Sequence, residues 1–485
     1  MQSRNSGITS AADSHIYELT RESMTQKNIQ TTDVVVIGAG LTGLTAAYYL
    51  QKNRKKFVVL EKQSCVGGVI HTTCENGFLY ENGPNTGVVG NTTVVELFEE
   101  LEQAGKCFPE LGGKNVTKRF ILKNARWECM PLGPTDAITT PLFSLWDKFR
   151  ILGEPFRSKG KNPNEPLAAF VKRRLGQSFL DYAIDPFIGG VYAGDPNYLI
   201  TRFAVPKIYN LEQTYGSLIG GSVMKPMKEK KTELEKRVNR KTFSIHGGLA
   251  NLTSALYESA GTEKFVLGAN NIQVQPAEGG YWVSYTNSNN EAIEILAKNV
   301  ISTTGAFALE ETMPFIEMDL LRKIDSLIYT KVIEVALGFN QWNGIKLDGF
   351  GGLIPSKEKR DILGVLYMSS LFQGRAPEKG ALLSVFLGGV RRQDLMLLND
   401  EGVKQIIERE IKALMGIKKF SPDMIKIMRH NHAIPQYGID SAERFASVEK
   451  LEKMYPGLQI GGNLRGGIGM ADRIKQGKEL AQNVL

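Results

Sequence analysis

From Asp33 to Glu61 the spacing of apolar and polar positions changes period twice. Val34 to Ile37 are apolar without a break and three of the four are valine, the pattern of a central parallel strand covered on both faces. A glycine-rich turn follows, and a helix is predicted from near Leu41. Phe57 to Leu60 repeat the unbroken apolar run, which Glu61 ends. Strand, turn, helix and strand in this order make a βαβ unit.

Thr117 to Pro131 alternates as a strand pair turning near Lys123-Asn124. Pro141 to Arg157 interleaves Leu142, Phe143, Leu145, Trp146, Phe149, Ile151 and Leu152 with Lys148, Arg150 and Arg157 at helical spacing. Such a helix either lies on a membrane surface or packs on its own domain. Pro166 to Leu175 and the apolar stretch to Ile188 stay helical, and IGGVYAGDP breaks the pattern at Ile188 to Pro196. Phe243 to Leu256 passes through a glycine turn into an amphipathic helix. Phe265 to Val274, Tyr281 to Tyr285 and Asn299 to Gly305 read as strands re-entering the first unit. Val332 to Phe339, Leu363 to Met368 and Ala381 to Leu387 are β-rich, Gly402 to Met415 is helical, and Leu458 to Gly477 reads strand, glycine turn, helix.

The expected fold class is α/β (α+β overall). A Rossmann-like dinucleotide-binding domain of residues 31–108, 242–306 and 429–485 interleaves with a β-rich substrate domain of 109–130 and 307–428. Residues 131–241 form a helical domain that touches a membrane or packs on itself. Residues 1–30 are polar, lack the apolar core of a signal peptide and carry Asp13, Glu18 and Glu22, so a disordered tail is expected.

Composition narrows the class. At 485 residues, with 42% hydrophobic and 23% charged positions, the chain is globular with two or three domains, and no apolar run is long enough to span a bilayer. A net charge of +8 and a pI near 9.0 fit an acidic partner, an anionic membrane or merely a basic surface. Lys225 to Lys241 carries eight basic residues against three glutamates, which reads as a solvated helix face or loop. Without interleaved aromatics, nucleic acid is not an expected partner. Cys65, Cys74, Cys107 and Cys129 lack C-x-x-C spacing and read as reduced, buried or half-buried thiols of a cytosolic protein. His430 and His432 have no companion cysteine or H-E-x-x-H motif, so no metal is expected. The expected location is cytoplasmic, with peripheral contact on the inner face of the cell membrane and a homodimer both left open.

The glycine spacing carries chemistry. In G-x-G-x-x-G, Gly38 makes the tight turn, Gly40 lets backbone approach a pyrophosphate and Gly43 packs helix on strand. The helix start near Leu41 aims N–H groups at the phosphates. Glu61 stands where a carboxylate accepts both ribose hydroxyls, which disfavours a 2′-phosphate. Gly67 and Gly68 form a second pair able to meet the same ligand. Gly466, Gly467 and Gly469 repeat the close approach, and the helix near Met470 would present N–H groups to an anion. Arg119, flanked by Phe120 and Ile121, suits a carboxylate at the polar end of an apolar pocket. No second fingerprint with its own strand and acid marks an NAD(P)H domain, so electrons are expected to leave to oxygen or a quinone.

EKQSCVGG with GFLYENGPN resembles the extended fingerprint of flavoproteins that include amine oxidases, phytoene desaturases and protoporphyrinogen oxidases. The stretches at 164–196, 349–358 and 363–389, AIPQY at 433–437 and the GN-x-x-GG ending resemble the protoporphyrinogen oxidase family from about Thr32 onward. The resemblance implies FAD, held by Gly38, Gly40, Leu41, Thr42, Gly43, Glu61, Lys62, Gly67, Gly68, Gly83, Pro84, Asn85, Val274, Thr304, Gly462, Asn463, Gly467, Ile468 and Gly469. It implies Arg119 on a propionate, Leu353 and Leu366 around one pyrrole, Phe386 on another, and a carbonyl at Gly189 or Gly190 facing the pyrrole nitrogens. The implied activity is oxidation of protoporphyrinogen IX to protoporphyrin IX in heme biosynthesis, with O2 consumed and H2O2 released. Coproporphyrinogen III oxidation, a flavin amine oxidase and a flavin-binding scaffold without catalysis are the alternatives. Hydride transfer to flavin N5 asks for positioning, so no acid or base residue is expected. Val69 replaces the arginine usual in amine oxidases, and His430 stands where the resembled family often has tryptophan.

Overall fold

The computed structural model describes residues 30–113, 117–228 and 231–485. The strand Gln30–Ile37 pairs in parallel with Phe57–Glu61 on one side and Ala292–Ser302 on the other. Val34 to Ile37 carry no polar position because both faces are covered. Helices Leu41–Lys52, Thr92–Gln103, Ala250–Ala260 and Met470–Gln482 pack on one face. Met318–Asp325, Ser441–Met454 and an antiparallel arm pack on the other. Phe265–Leu267 and Leu458–Ile460 extend the parallel part. The expected strand Phe265 to Val274 is divided at Gly268, whose φ of +70° turns the chain from the parallel strand into the antiparallel strand Asn270–Ala277.

A second sheet runs in the order Met424–His430, Val332–Phe339, Ala381–Gly388, Ile362–Leu366, Gly351–Leu353, Phe120–Lys123, Arg126–Cys129. Side chains alternate between its faces. Ile333, Val335, Leu337, Val385 and Leu387 pack with the helix Asp400–Met415. Register puts Glu334, Phe386, Met428, Ser384, Leu366 and Leu353 on the opposite face. That face meets the nucleotide-binding part, where Phe78 and Tyr80 pack on Ala336 and Leu382.

The helix Asp185–Tyr192 runs on through Gly189 and Gly190 and ends at Ala193 (φ +47°), inside the stretch Ile188 to Pro196 where the break is expected. Gly190 is there for contact: a Cβ on it would lie 2.3 Å from Leu353 Cδ2, so the helix packs closely on the sheet. Cys65, Cys74 and Cys129 are exposed, which corrects the expectation of buried thiols. Cys107 is buried, and loss of hydration pushes its thiol up to about 12. Among the described residues no helix is long and apolar enough to cross a membrane. The expected tail lies outside the described residues except for Gln30, and so do two residues of the basic run, at 229–230.

Candidate active site

The first turn is built so that one glycine stays unexplained by the protein. Gly38 takes φ +96°, and a Cβ on Gly43 would come within 1.9 Å of Gly38 O, so turn geometry and helix packing account for both. Gly40 is extended (φ −72°, ψ 178°), and a Cβ there meets nothing closer than Gly68 Cα at 4.0 Å. The space before it is where a ligand's backbone approach would occur. Gly67 N donates to Ala39 O at 2.9 Å, which brings the second glycine pair beside the first. Leu41 and Thr42 open the helix and are buried, whereas Lys62 is exposed.

Glu61 is 7% exposed. Its carboxylate accepts from Ala39 N at 2.6 Å and Gln63 N at 2.8 Å, which fixes it at the strand end. Two of about four acceptor positions remain for a ribose. Gly83 takes φ +129°, with Val69 O where a Cβ would be. After half-buried Pro84, Asn85 Nδ2 donates to Gly83 O at 3.1 Å and to Glu334 Oε1 at 2.6 Å, while Ser384 Oγ donates to Asn85 Oδ1 at 2.8 Å. This loop is thereby tied to the second sheet.

The C-terminal turn is braced from two directions. Gly462 N donates to Gln476 Oε1 at 2.8 Å. Buried Arg473 donates to Gly462 O and to Arg465 O. Tyr437 OH donates to Asn463 O at 2.8 Å and Gly467 O at 3.0 Å, and burial pushes this phenol up to about 12, so it stays a donor. Tyr329 OH donates to Asn463 Oδ1 at 3.0 Å, and Thr304 Oγ1 lies 3.0 Å from Ser302 Oγ. At the helix start Gly469 N donates to Asp472 Oδ2 at 3.1 Å, which ties the glycine before the helix to its first turn. Gly467 and Ile468, half-buried before it, remain on the turn. Val274 is fully buried in the core of the antiparallel arm, which leaves its side chain no surface to offer a ligand.

Facing these turns, Leu353, Leu366 and Phe386 are half-buried on one sheet face. A Cβ on Gly189 would meet nothing within 4 Å, so this part of the helix borders open space. Arg119 precedes the strand Phe120–Lys123, its guanidinium 5.2 Å from the Phe350 ring centroid. Arg119 is an exposed residue, partial desolvation lowers its pKa from the ordinary arginine value, and it has no carboxylate partner among the described residues. Glu334, Tyr329 and Arg473 were not expected in the site, whereas Tyr437 ends the AIPQY stretch that carries the resemblance. Glu334 alone had a visible signal, as the one acid in the apolar run VIEVALGF.

A glycine cradle on a βαβ unit, set against a mostly antiparallel sheet, fits a flavin-binding oxidoreductase. The open backbone at Gly40 and Gly68 and the accepting carboxylate of Glu61 fit such a cofactor. The chain belongs to the family of flavin containing amine oxidoreductases, whose model matches residues 41–485, and within it to the protoporphyrinogen oxidases. Protoporphyrinogen oxidase of Bos taurus is 30% identical, covering 93% of this chain and 98% of the relative. Coproporphyrinogen III oxidase of Bacillus subtilis (strain 168) is 26% identical over 93% of this chain and 97% of its own length. A crystal structure from Exiguobacterium sp. 255-15, of a candidate protoporphyrinogen oxidase, shares the fold with a TM-score of 0.76, 22% identity and coverage of 94% and 99%.

Proposed function

We propose that this flavin oxidoreductase binds FAD and oxidises protoporphyrinogen IX to protoporphyrin IX in heme biosynthesis, passing the electrons to oxygen, with hydrogen peroxide as product, or to a quinone. The observation that carries this reading is the row of apolar side chains Leu353, Leu366 and Phe386 on one sheet face, with the guanidinium of Arg119 just before the strand Phe120–Lys123 of that sheet. A flat tetrapyrrole with a propionate edge matches both features. The relatives' names support the substrate class, and the Bacillus subtilis relative supports coproporphyrinogen III as a second reading.

FAD would supply the hydride acceptor. Glu61 would hold its ribose and the backbone at Gly40, Gly67 and Gly68 its pyrophosphate. The turns at Gly83 to Asn85 and Gly462 to Gly469 would hold the far end. Leu353, Leu366 and Phe386 would clamp the macrocycle and exclude water, Arg119 would anchor a propionate, and a carbonyl at Gly189 or Gly190 would face the pyrrole N–H groups. The exposed side chains of Leu145, Trp146, Phe149 and Leu152, flanked by Lys148 and Arg150, support peripheral membrane contact as part of the same reading.

The test is anaerobic mixing of the yellow protein with each porphyrinogen. Bleaching of the flavin, then porphyrin fluorescence on admitting air, is expected. Bleaching by amines with none by either porphyrinogen overturns the reading.

A further inference from the structure

The helix Asp185–Tyr192 is spaced from the sheet by one side chain. A Cβ on Gly190 would come within 2.3 Å of Leu353 Cδ2, and one on Gly364 within 3.1 Å of the same atom, so this leucine lies between helix and strand. In register Leu353 stands beside Gly364, and Gly364 beside Phe386. Gly189, next to the contact, borders open space. The gap there is set by Leu353 and by whatever fixes the two ends of the helix.

Both ends are tied by one guanidinium. Asp185 opens the helix and is 7% exposed. Its Oδ2 accepts from Ser356 N at 2.7 Å and its Oδ1 from Arg391 Nη1 at 2.5 Å. Just past the helix, Asp195 accepts from Arg391 Nε at 3.1 Å and Nη2 at 3.0 Å, one on each carboxylate oxygen. Ser356 follows the strand Gly351–Leu353, and Arg391 follows the strand Ala381–Gly388 that carries Phe386. Beside Arg391, Val390 N donates to Ala193 O at 2.8 Å. A forked cation can grip two carboxylates at once with fixed geometry, which a point charge cannot. The nearby pair of Lys357 and Asp181, at 3.1 Å, has its lysine 59% exposed and holds little.

We propose that Arg391 is a positioning residue: by holding Asp185 and Asp195 it fixes the helix over Leu353 and sets the width of the slot between Gly189 and the side chains of Leu353, Leu366 and Phe386. This rests on the porphyrinogen reading above. Arg391 acts without touching the macrocycle. Its effect passes through the helix to the grip on the substrate, and leaves the chemical step as it is. A helix released at its ends shifts against the sheet, and a displacement of about 1 Å is enough to weaken what the slot holds.

The test compares wild type, Arg391→Gln and Arg391→Lys, all loaded with flavin. In R391Q the KM for the porphyrinogen is expected to rise about tenfold, while flavin content and the rate at saturating porphyrinogen stay within about twofold of wild type. R391K, which can hold one carboxylate at a time, is expected to raise KM about threefold. Quenching of protoporphyrin IX fluorescence on binding, read without turnover, is expected to rank the three proteins in the same order. Asp195→Asn is expected to raise KM by itself and, combined with R391Q, to raise it by less than the product of the separate effects. Should R391Q fail to hold flavin, R391K carries the comparison. A wild type that no porphyrinogen bleaches overturns the functional reading. A wild type that bleaches, with R391Q matching its KM, slowed at saturation with KM unchanged, or multiplying independently with D195N, overturns the role of Arg391 and leaves that reading intact.

Discussion

At the scale of single residues, Gly40 and Gly43 separate ligand approach from packing. A side chain at Gly40 has room in the protein, whereas one at Gly43 meets Gly38 O at 1.9 Å. Gly40→Val is therefore expected to fold with stability within about 0.5 kcal/mol of the flavin-free parent, yet to emerge colourless from gel filtration. Gly43→Val is expected to be insoluble or unfolded. A yellow Gly40→Val protein would remove Gly40 from the cofactor cradle. Arg119→Ala tests the opposite end of the site. Loss of one charge-assisted contact is expected to raise KM about tenfold, or about 1.4 kcal/mol, and unchanged steady-state kinetics would take Arg119 out of the site. The glycine fingerprint and Glu61 were legible because they act within one local unit. Glu334 was visible only as the one acid in its apolar run, and its ties to Gly83 and Asn85 were not legible, because they join stretches about 250 residues apart.

At the scale of elements, the short helix Leu145–Leu152 turns outward the apolar face whose partner periodicity left open. A capping box starts it, with Ser144 Oγ accepting from Asp147 N at 3.2 Å and Asp147 Oδ2 accepting from Ser144 N at 2.9 Å. Leu142 and Phe143 just before it are buried, but Leu145, Trp146, Phe149 and Leu152 are 65–83% exposed and Phe156 90%. Period alone cannot tell a face packed on protein from one turned outward, since both need the same spacing. Replacing Trp146 and Phe149 by glutamate is expected to leave the midpoint of chemical unfolding unchanged and to weaken binding to anionic lipid vesicles about 100-fold. Each large side chain is worth about 1.5–3 kcal/mol on transfer from water. Equal co-flotation of variant and parent with vesicles would show that this face does not meet lipid. The helix Asp185–Tyr192 ends at Ala193, within the expected break, but what period could not show is that Gly190 serves close packing on Leu353.

At the scale of the whole molecule, the two sheets are welded by contacts that no window of sequence contains. Arg375, 2% exposed, donates to Glu81 Oε1 at 2.7 Å and to Ser244 Oγ at 2.5 Å. Glu81 also accepts from Thr72 Oγ1 and Leu249 N. Three separate stretches of chain thus meet at one buried ion pair, behind the loop that Glu334 holds. Arg375→Met leaves Glu81 charged, buried and without its cation, and is expected to cost about 3–5 kcal/mol in urea unfolding. Adding Glu81→Gln is expected to recover a large part of that loss, because the amide still accepts from Thr72 and Leu249 while the stranded charge is gone. If the pair acts as the weld, flavin release and tryptophan fluorescence should change together along the urea axis in the wild type and separate in Arg375→Met, with flavin leaving first. Coincident transitions in both proteins would mean that the sheets are held together by their apolar contact alone.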